Sequence, residues 1–350
     1  MKYLKLTIHT PPIIFILCLA IFALLFSTSC YAKTCYVNTA SAGGDGTTNA
    51  TSGVNAAYKS LFDWEAAEDG IALEAPMTVY CEGTVADITA VTIADWTGNS
   101  TDNTITITTT QENRHSGVWS EEKYRLEVAN AEVLSFEVSN IKIDGLQVLV
   151  SGSSNYQYGI YTGTAGASNI EISNNIVKET NTGDFGLGVY LSTGSGTSIK
   201  VWNNIIYDFD GASTVGISVG GSNDNGFVYN NTVYNCTRGI YSGYDDVIAI
   251  NNIVVANSFS WRGTFAGDSD YNAGSLADVM NTTGSAPANN KYSQTITFVS
   301  TSIPNFHLSS NDASAKDQGT DLSSDANLSF TTDIDSDTRP TGSWDIGADE

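Results

Sequence analysis

The sequence predicts an all-β fold, a parallel solenoid closed at its N-terminal end by a short helix, and three observations carry that expectation. An asparagine pair recurs as Asn174-Asn175, Asn203-Asn204, Asn230-Asn231 and Asn251-Asn252, at spacings of 29, 27 and 21 residues. A glycine followed by a β-branched residue recurs beside it, as Gly159-Ile160, Gly188-Val189, Gly216-Ile217 and Gly239-Ile240, at spacings of 29, 28 and 23 residues. Between these markers lie short alternating strands with Gly, Ser, Thr and Asn at the corners, and no amphipathic helix fits, so βαβ units are excluded.

A unit of this size cannot bury its own apolar face, and stacking on copies of itself is what stabilises it. In such a stack each residue lies roughly 4.8 Å above its counterpart. Asparagine pairs inside strand-like sequence then have a reason. One member takes the left-handed backbone of a bend, and its neighbour hydrogen-bonds up and down the column through its amide. Ile160, Ile170, Ile172 and Val177 face the interior in one unit, and Val189, Ile199, Val201 and Ile206 in the next.

In chain order, residues 1–32 read as an export signal. Lys2 and Lys5 precede an apolar run from Pro12 to Phe26, and "STSCYA" ends in the small residues expected before a cut after Ala32. The run is shorter than the ~20 apolar residues of a spanning helix. The mature chain is therefore expected to have no membrane span and to be secreted or held at the cell surface. Residues 33–110 form an N-terminal cap and the first turns. Here "NAAYKSLFDWEAAEDG" is the one helix candidate, with Asn55 as cap, Ala57, Leu61 and Trp64 on one face and Gly70 as stop. Residues 111–302 form the repeats, including "IKIDGLQV" 29 residues before "IEISNNIV", with Asp144-Gly145 at the bend. From about residue 261 the repeat loosens into polar, Gly-rich sequence, with "TITFVS" as a late strand. Residues 303–350 form a closing segment.

Without the leader, 13 Lys and Arg stand against 38 Asp and Glu, a charge of 13 − 38 = −25. Phosphate binding needs clustered Lys and Arg, so nucleic acid is excluded as a partner. Three cysteines remain. Cys35 and Cys81 sit in short strand-like runs and are candidates to pair in an oxidising compartment, leaving Cys236 alone. With three cysteines, no CxxC, no His cluster, and His115 and His307 the only mature histidines, zinc is not expected.

These features together resemble the pectate-lyase-like superfamily of right-handed parallel β-helices, in its secreted bacterial members. "CYVNTASAGGDGTTNATSGVNAAYKSL" is similar to the segment that opens many of them. "FHLSSNDASAKDQGTDL", "DIDSDTRP" and "SWDIGADE" resemble the closing segment of the choice-of-anchor Q type. The resemblance implies a right-handed β-helix with polysaccharide lying along an outer sheet. It does not imply one reaction, because the superfamily holds lyases, hydrolases, epimerases and adhesins.

If Ile160, Val189, Ile217 and Ile240 point inward, then Tyr161, Tyr190, Ser218 and Tyr241 point outward in one column. Three tyrosines in a line offer sugar rings a flat surface with hydroxyls at its edge, and equally make a ladder that steadies the sheet. The outward Glu171 and Lys200, one turn apart, read as a surface ion pair.

For a glycoside hydrolase, Asp224 and Asp245-Asp246 lie one turn apart and are the acid and base candidates. The Gly-His-Gly and Arg-Ile-Lys elements that accompany such acids in polygalacturonases are missing, and Asp245-Asp246 falls in a turn, where Asp is common. For a calcium-dependent polysaccharide lyase, Arg238 is the base candidate beside the Gly-Ile strands. Asp333, Asp335 and Asp337 alternate as in a calcium loop, or hydrogen-bond their own loop and pair with Arg339. No complete catalytic set assembles. The expectation is a glycan-binding protein, with a polysaccharide-degrading enzyme as the alternative.

Overall fold

The structure, a computed structural model, describes residues 32–162, 167–180, 182–192, 198–221 and 225–350; residues 1–31 of the expected export signal lie outside the described residues, as does Asp224. The chain winds into a right-handed parallel β-helix with three faces. Face one is an eight-stranded parallel sheet running from Lys33–Asn38 and Met77–Glu82 through Ile141–Asp144, Ile170–Ser173, Ser198–Trp202 and Asn225–Tyr229 to Val247–Ile250. Face two stacks Arg125–Ala129, Gln147–Ser151, Ile176–Glu179 and Ile205–Tyr207. Face three stacks Val91–Ile93, Leu134–Phe136, Gln157–Thr162, Gly186–Leu191 and Val215–Val219. The long strands Thr232–Ser242 and Ile253–Phe265 run round the corner between faces two and three and join them into one 13-stranded sheet.

Register is kept from turn to turn. Ile141, Ile170 and Ile199 sit one above another, as do Ile143, Ile172 and Val201. All eight residues expected to face the interior are fully buried in one apolar core.

The asparagine pairs work as a bend and a ladder. Asn174, Asn203, Asn230 and Asn251 each have φ between 50° and 57°, the left-handed conformation. Their neighbours join along the axis: Asn175 Nδ2 donates to Asn204 Oδ1 (2.9 Å), Asn204 to Asn231 (3.0 Å) and Asn231 to Asn252 (3.0 Å). The ladder runs further than the doublets suggest. Asn252 donates to Asn272 (2.9 Å) and Asn272 to Asn290 (3.0 Å), so the stack continues well past residue 261, with turns shortened to 20 and 18 residues. In the first of these short turns Tyr271, with φ 57°, takes the bend position.

The glycine of each Gly-Ile marker is placed by close approach. A Cβ on Gly188 would lie 2.6 Å from Ile206 Cγ2 and 2.7 Å from the Gly216 carbonyl oxygen, and Gly159, Gly216 and Gly239 are similarly confined. Glycine and the following β-branched residue thus both turn inward. The residues on either side, three apart in sequence, both turn outward.

A helix spans Leu61–Glu68 and packs on the first strands of faces one and three. Its cap is Ser60, whose Oγ accepts from Asp63 N at 3.0 Å, not Asn55, which precedes the helix by six residues. Leu61 and Trp64 are buried, and Trp64 stacks on Trp96 with centroids 5.6 Å apart.

Cys35 and Cys81 do not pair. Cys35 is opposite Val79 and Cys81 opposite Val37, so the two are diagonal neighbours on adjacent strands. Two residues along the strand and one strand across separate their Cα atoms by roughly 8 Å, beyond the usual ~4.4–6.8 Å disulfide span. Both are buried free thiols, and burial raises the pKa of each, that of Cys35 to about 11.

The closing segment folds back over the outside of faces one and two. Phe298–Ser300 pairs antiparallel with Asn305–Leu308. Phe306, Ile334 and Ile346 cover Ile176, Ile205 and Tyr207 on face two, while Trp344, Leu322 and Leu328 cover Phe227 and Tyr229 on face one. Buried Arg339 clamps this layer, donating to Glu350 (2.8 Å), Asn203 Oδ1 (3.2 Å) and the carbonyls of Gly347 and Ala348 (3.1 Å each).

Candidate functional site

Face three carries two outward columns. The first is Tyr161, Tyr190, Ser218 and Tyr241, in register as the spacing predicts, and it begins two turns earlier with Thr92 and Ser135 and ends at Arg262. The second is Tyr158, Leu187, Val215, Arg238 and Phe259. The doubled inward step at each Gly-Ile marker aims both columns outward. Tyr158 and Tyr161 accordingly meet at 4.7 Å although three residues apart.

The tyrosines do not lie as a flat surface. Tyr161 and Tyr190 stack ring on ring, with centroids 5.4 Å apart and planes at 19°. One face of Tyr190 is thereby used, and the other looks along the axis over Ser218. Because Ser218 stands where the column has tyrosine above and below, it leaves a slot two turns deep, roughly 9.6 Å between strands, from Tyr190 to Tyr241. This slot opens into a cleft of about 420 Å³ lined by Tyr156, Tyr158, Phe185, Tyr190, Arg238 and Arg262 among others. Small-molecule sites fall in the range of about 300–1,000 Å³.

Tyr156 and Phe185, with ring centroids 4.6 Å apart, form one wall. The cations are Arg238, whose Nη1 donates to the Ser213 carbonyl (3.0 Å), and Arg262, whose guanidinium lies 5.1 Å from the Phe259 ring. Burial first, then the Tyr161 and Tyr190 rings, pushes the Tyr158 hydroxyl up to about 12. Burial and then Glu132 raise Tyr161. Both stay neutral hydroxyls, able to donate and accept, across physiological pH.

The acid candidates are elsewhere. Asp245 and Asp246 occupy the turn after Ser242, leading from face three to face one, and Asp245 is exposed. Among the described residues lining the cleft there is no carboxylate. Arg238 is in the cleft, but it is not the only base beside the Gly-Ile strands, because Arg262 follows Tyr241 in register. Glu171 is on face one between two lysines, 2.8 Å from Lys142 and 3.9 Å from Lys200.

The three tail aspartates diverge. Asp333 is buried and its Oδ1 accepts the backbone N–H groups of Asp335 and Asp337, both at 2.9 Å, so it pins its own loop. Burial raises its pKa against the opposing pull of Arg339. Asp337 is exposed, and Asp335 turns instead to His307 Nε2 at 2.9 Å.

Sequence reasoning missed Tyr156, Tyr158, Phe185 and Arg262. Tyr158 was recoverable, since it stands immediately before Gly159 just as Arg238 stands before Gly239. Tyr156 and Phe185 lie outside the strand register and carry no periodic signal. Compared with protein-family models and with curated proteins, the chain finds no match. Among the described residues no helix is long and apolar enough to cross a membrane.

Proposed function

We propose that the protein is an exported β-helix, of the pectate-lyase-like kind with a choice-of-anchor Q-like tail, that binds polysaccharide or cell-surface glycan in the face-three cleft without cleaving it. One observation carries this reading. The tail covers the outer aromatics on the later turns of faces one and two, whereas those of face three are left lining an open cleft with two guanidiniums. A sugar ring presents apolar C–H groups to aromatic faces and hydroxyls to their edges, and the slot between Tyr190 and Tyr241 supplies both. The arginines supply fixed donors for hydroxyl or carboxylate oxygens.

Two variants test the reading on a panel of neutral and acidic oligosaccharides, with binding followed by calorimetry. Tyr190→Ala removes one wall of the slot and weakens binding about tenfold, the equivalent of the ~1.4 kcal/mol that an aromatic contact contributes. Ser218→Tyr continues the ladder, leaves the melting temperature within a few degrees, and abolishes binding by filling the slot. Binding unchanged in both variants refutes the site. New reducing ends, or the ultraviolet absorbance of unsaturated uronates, refute the non-catalytic reading in favour of a hydrolase or lyase.

A further inference from the structure

We propose that His307, Asp335 and Asp349 form a binding site for a divalent first-row transition metal, zinc being the natural candidate, that ties the end of the chain to the strand Asn305–Leu308. His307 Nε2 lies 2.9 Å from Asp335 Oδ2 and 3.6 Å from Asp349 Oδ1, and one ligand atom from each residue falls within 4.8 Å of the others. Tetrahedral ligands at about 2.0–2.2 Å from zinc stand roughly 3.3–3.5 Å apart. The observed separations bracket that value, so small side-chain rotations suffice.

Two further observations point to a cation. The other imidazole nitrogen, Nδ1, is hydrogen-bonded to Asn305 Oδ1, an acceptor only, which assigns the proton to Nδ1. Nε2 then faces two carboxylates, which are satisfied either by a proton on Nε2 donated to Asp335 Oδ2 or by a metal ion in that proton's place. Metal-bound histidines are commonly held in this way by an oxygen acceptor on the second nitrogen. In addition, Asp335 Oδ1 is buried and has no hydrogen-bond partner. Gly117 packs directly over this pair: a Cβ there would lie 2.5 Å from that oxygen and 2.8 Å from His307 Nε2, so no larger residue fits beside them.

The donor set selects the metal class. One imidazole and two carboxylates, with no thiolate, suit Zn²⁺ or its neighbours in the first row, whereas Ca²⁺ prefers six to eight oxygens. No ligand of this site lines the face-three cleft, so the site is independent of glycan binding.

The test uses the tag-free protein, stripped with chelator and titrated with Zn²⁺ in excess Ca²⁺, with Co²⁺ as a spectroscopic stand-in. The expected result is one zinc per chain, visible d–d bands for bound Co²⁺, and a loss of affinity of at least about tenfold in both His307→Gln and Asp335→Asn. Asp335→Asn keeps side-chain volume and provides the second variant if His307→Gln folds poorly. No zinc binding by the wild-type chain, displacement of zinc by calcium, or zinc affinity unchanged in either variant overturns the proposal.

Discussion

Asn204→Ala interrupts the interior ladder at its middle. Asn204 is fully buried, and its Oδ1 accepts from both the backbone N–H and the Nδ2 of Asn175 at 2.9 Å. Its Nδ2 donates to the carbonyls of Ile172 and Trp202 and to Asn231 Oδ1. Truncation leaves Asn175 Nδ2 with the Ile143 carbonyl and Asn231 Oδ1 with the Asn204 backbone N–H, so those groups keep a partner. The Asn175 backbone N–H keeps none, and water does not reach it. One orphaned buried donor costs ~1–3 kcal/mol, and the remaining lost bonds add ~1 kcal/mol each. Nδ2 carries two hydrogens, so with the Asn175 Nδ2 bond three such bonds are lost, and the sum is about 4–6 kcal/mol, a large share of the ~5–15 kcal/mol typical of a folded protein. Asn290→Ala is the internal control, since Asn290 accepts from Asn272 in the same way but is partly exposed, and water replaces it at a cost of ~1 kcal/mol or less. Urea unfolding of both variants, compared by midpoint at constant slope, reads the difference. Costs within about 1 kcal/mol of each other would show that the ladder is not what stabilises the interior bend.

Gly188→Ala drives a Cβ against Ile206 and the Gly216 carbonyl and lowers stability by ~1–3 kcal/mol, measured as a fall in the thermal midpoint. An unchanged midpoint would mean the wall can move outward to accept a methyl group. Burial raises Glu65 to about 7, above its ordinary 4.5, so the folded state holds its proton more tightly than the unfolded chain. Its stabilising contribution is present below about pH 4.5 and is lost as pH rises through about 7, and Glu65→Gln flattens that part of the stability–pH curve. A curve of the same slope in the variant refutes the assignment.

The repeat was legible because its residues are chosen by backbone geometry. A left-handed bend and a buried amide ladder together select the Asn-Asn doublet, and a crowded inner wall selects glycine. Where the geometry is met by other residues, the signal fades. Tyr271 takes the bend in place of asparagine, and two turns shrink to 20 and 18 residues, so the last two rungs at Asn272 and Asn290 look like loosened sequence. The outward column Tyr161, Tyr190, Ser218, Tyr241 followed from parity alone. Its conversion from a flat surface to a slot did not, because ring stacking between Tyr161 and Tyr190 depends on rotamers that register leaves open. The disulfide expectation failed for a related reason. Strand-like context placed Cys35 and Cys81 on neighbouring strands, but the two-residue offset that separates them is a property of register.

The path of the tail decides which face keeps an open cleft. Each face of the helix has outward apolar or aromatic residues in register: Trp202 and Tyr229 on face one, Tyr207 and Tyr234 on face two, Tyr161 and Tyr190 on face three. On composition alone the three are equivalent. The closing segment removes that equivalence by placing Phe306 against Tyr207 and Tyr234, at 5.1 and 4.8 Å, and by setting Trp344 and Phe330 over face one. Arg339, donating both to Asn203 at the bend between faces one and two and to the tail carbonyls, holds the layer in register with the helix. Covering the later turns of two faces buries apolar area that an isolated solenoid would leave wet, and leaves the third face with its cleft open. There the outer surface combines aromatic rings, two guanidiniums and a gap of one missing tyrosine, and the gap at Ser218 turns a ladder into a slot.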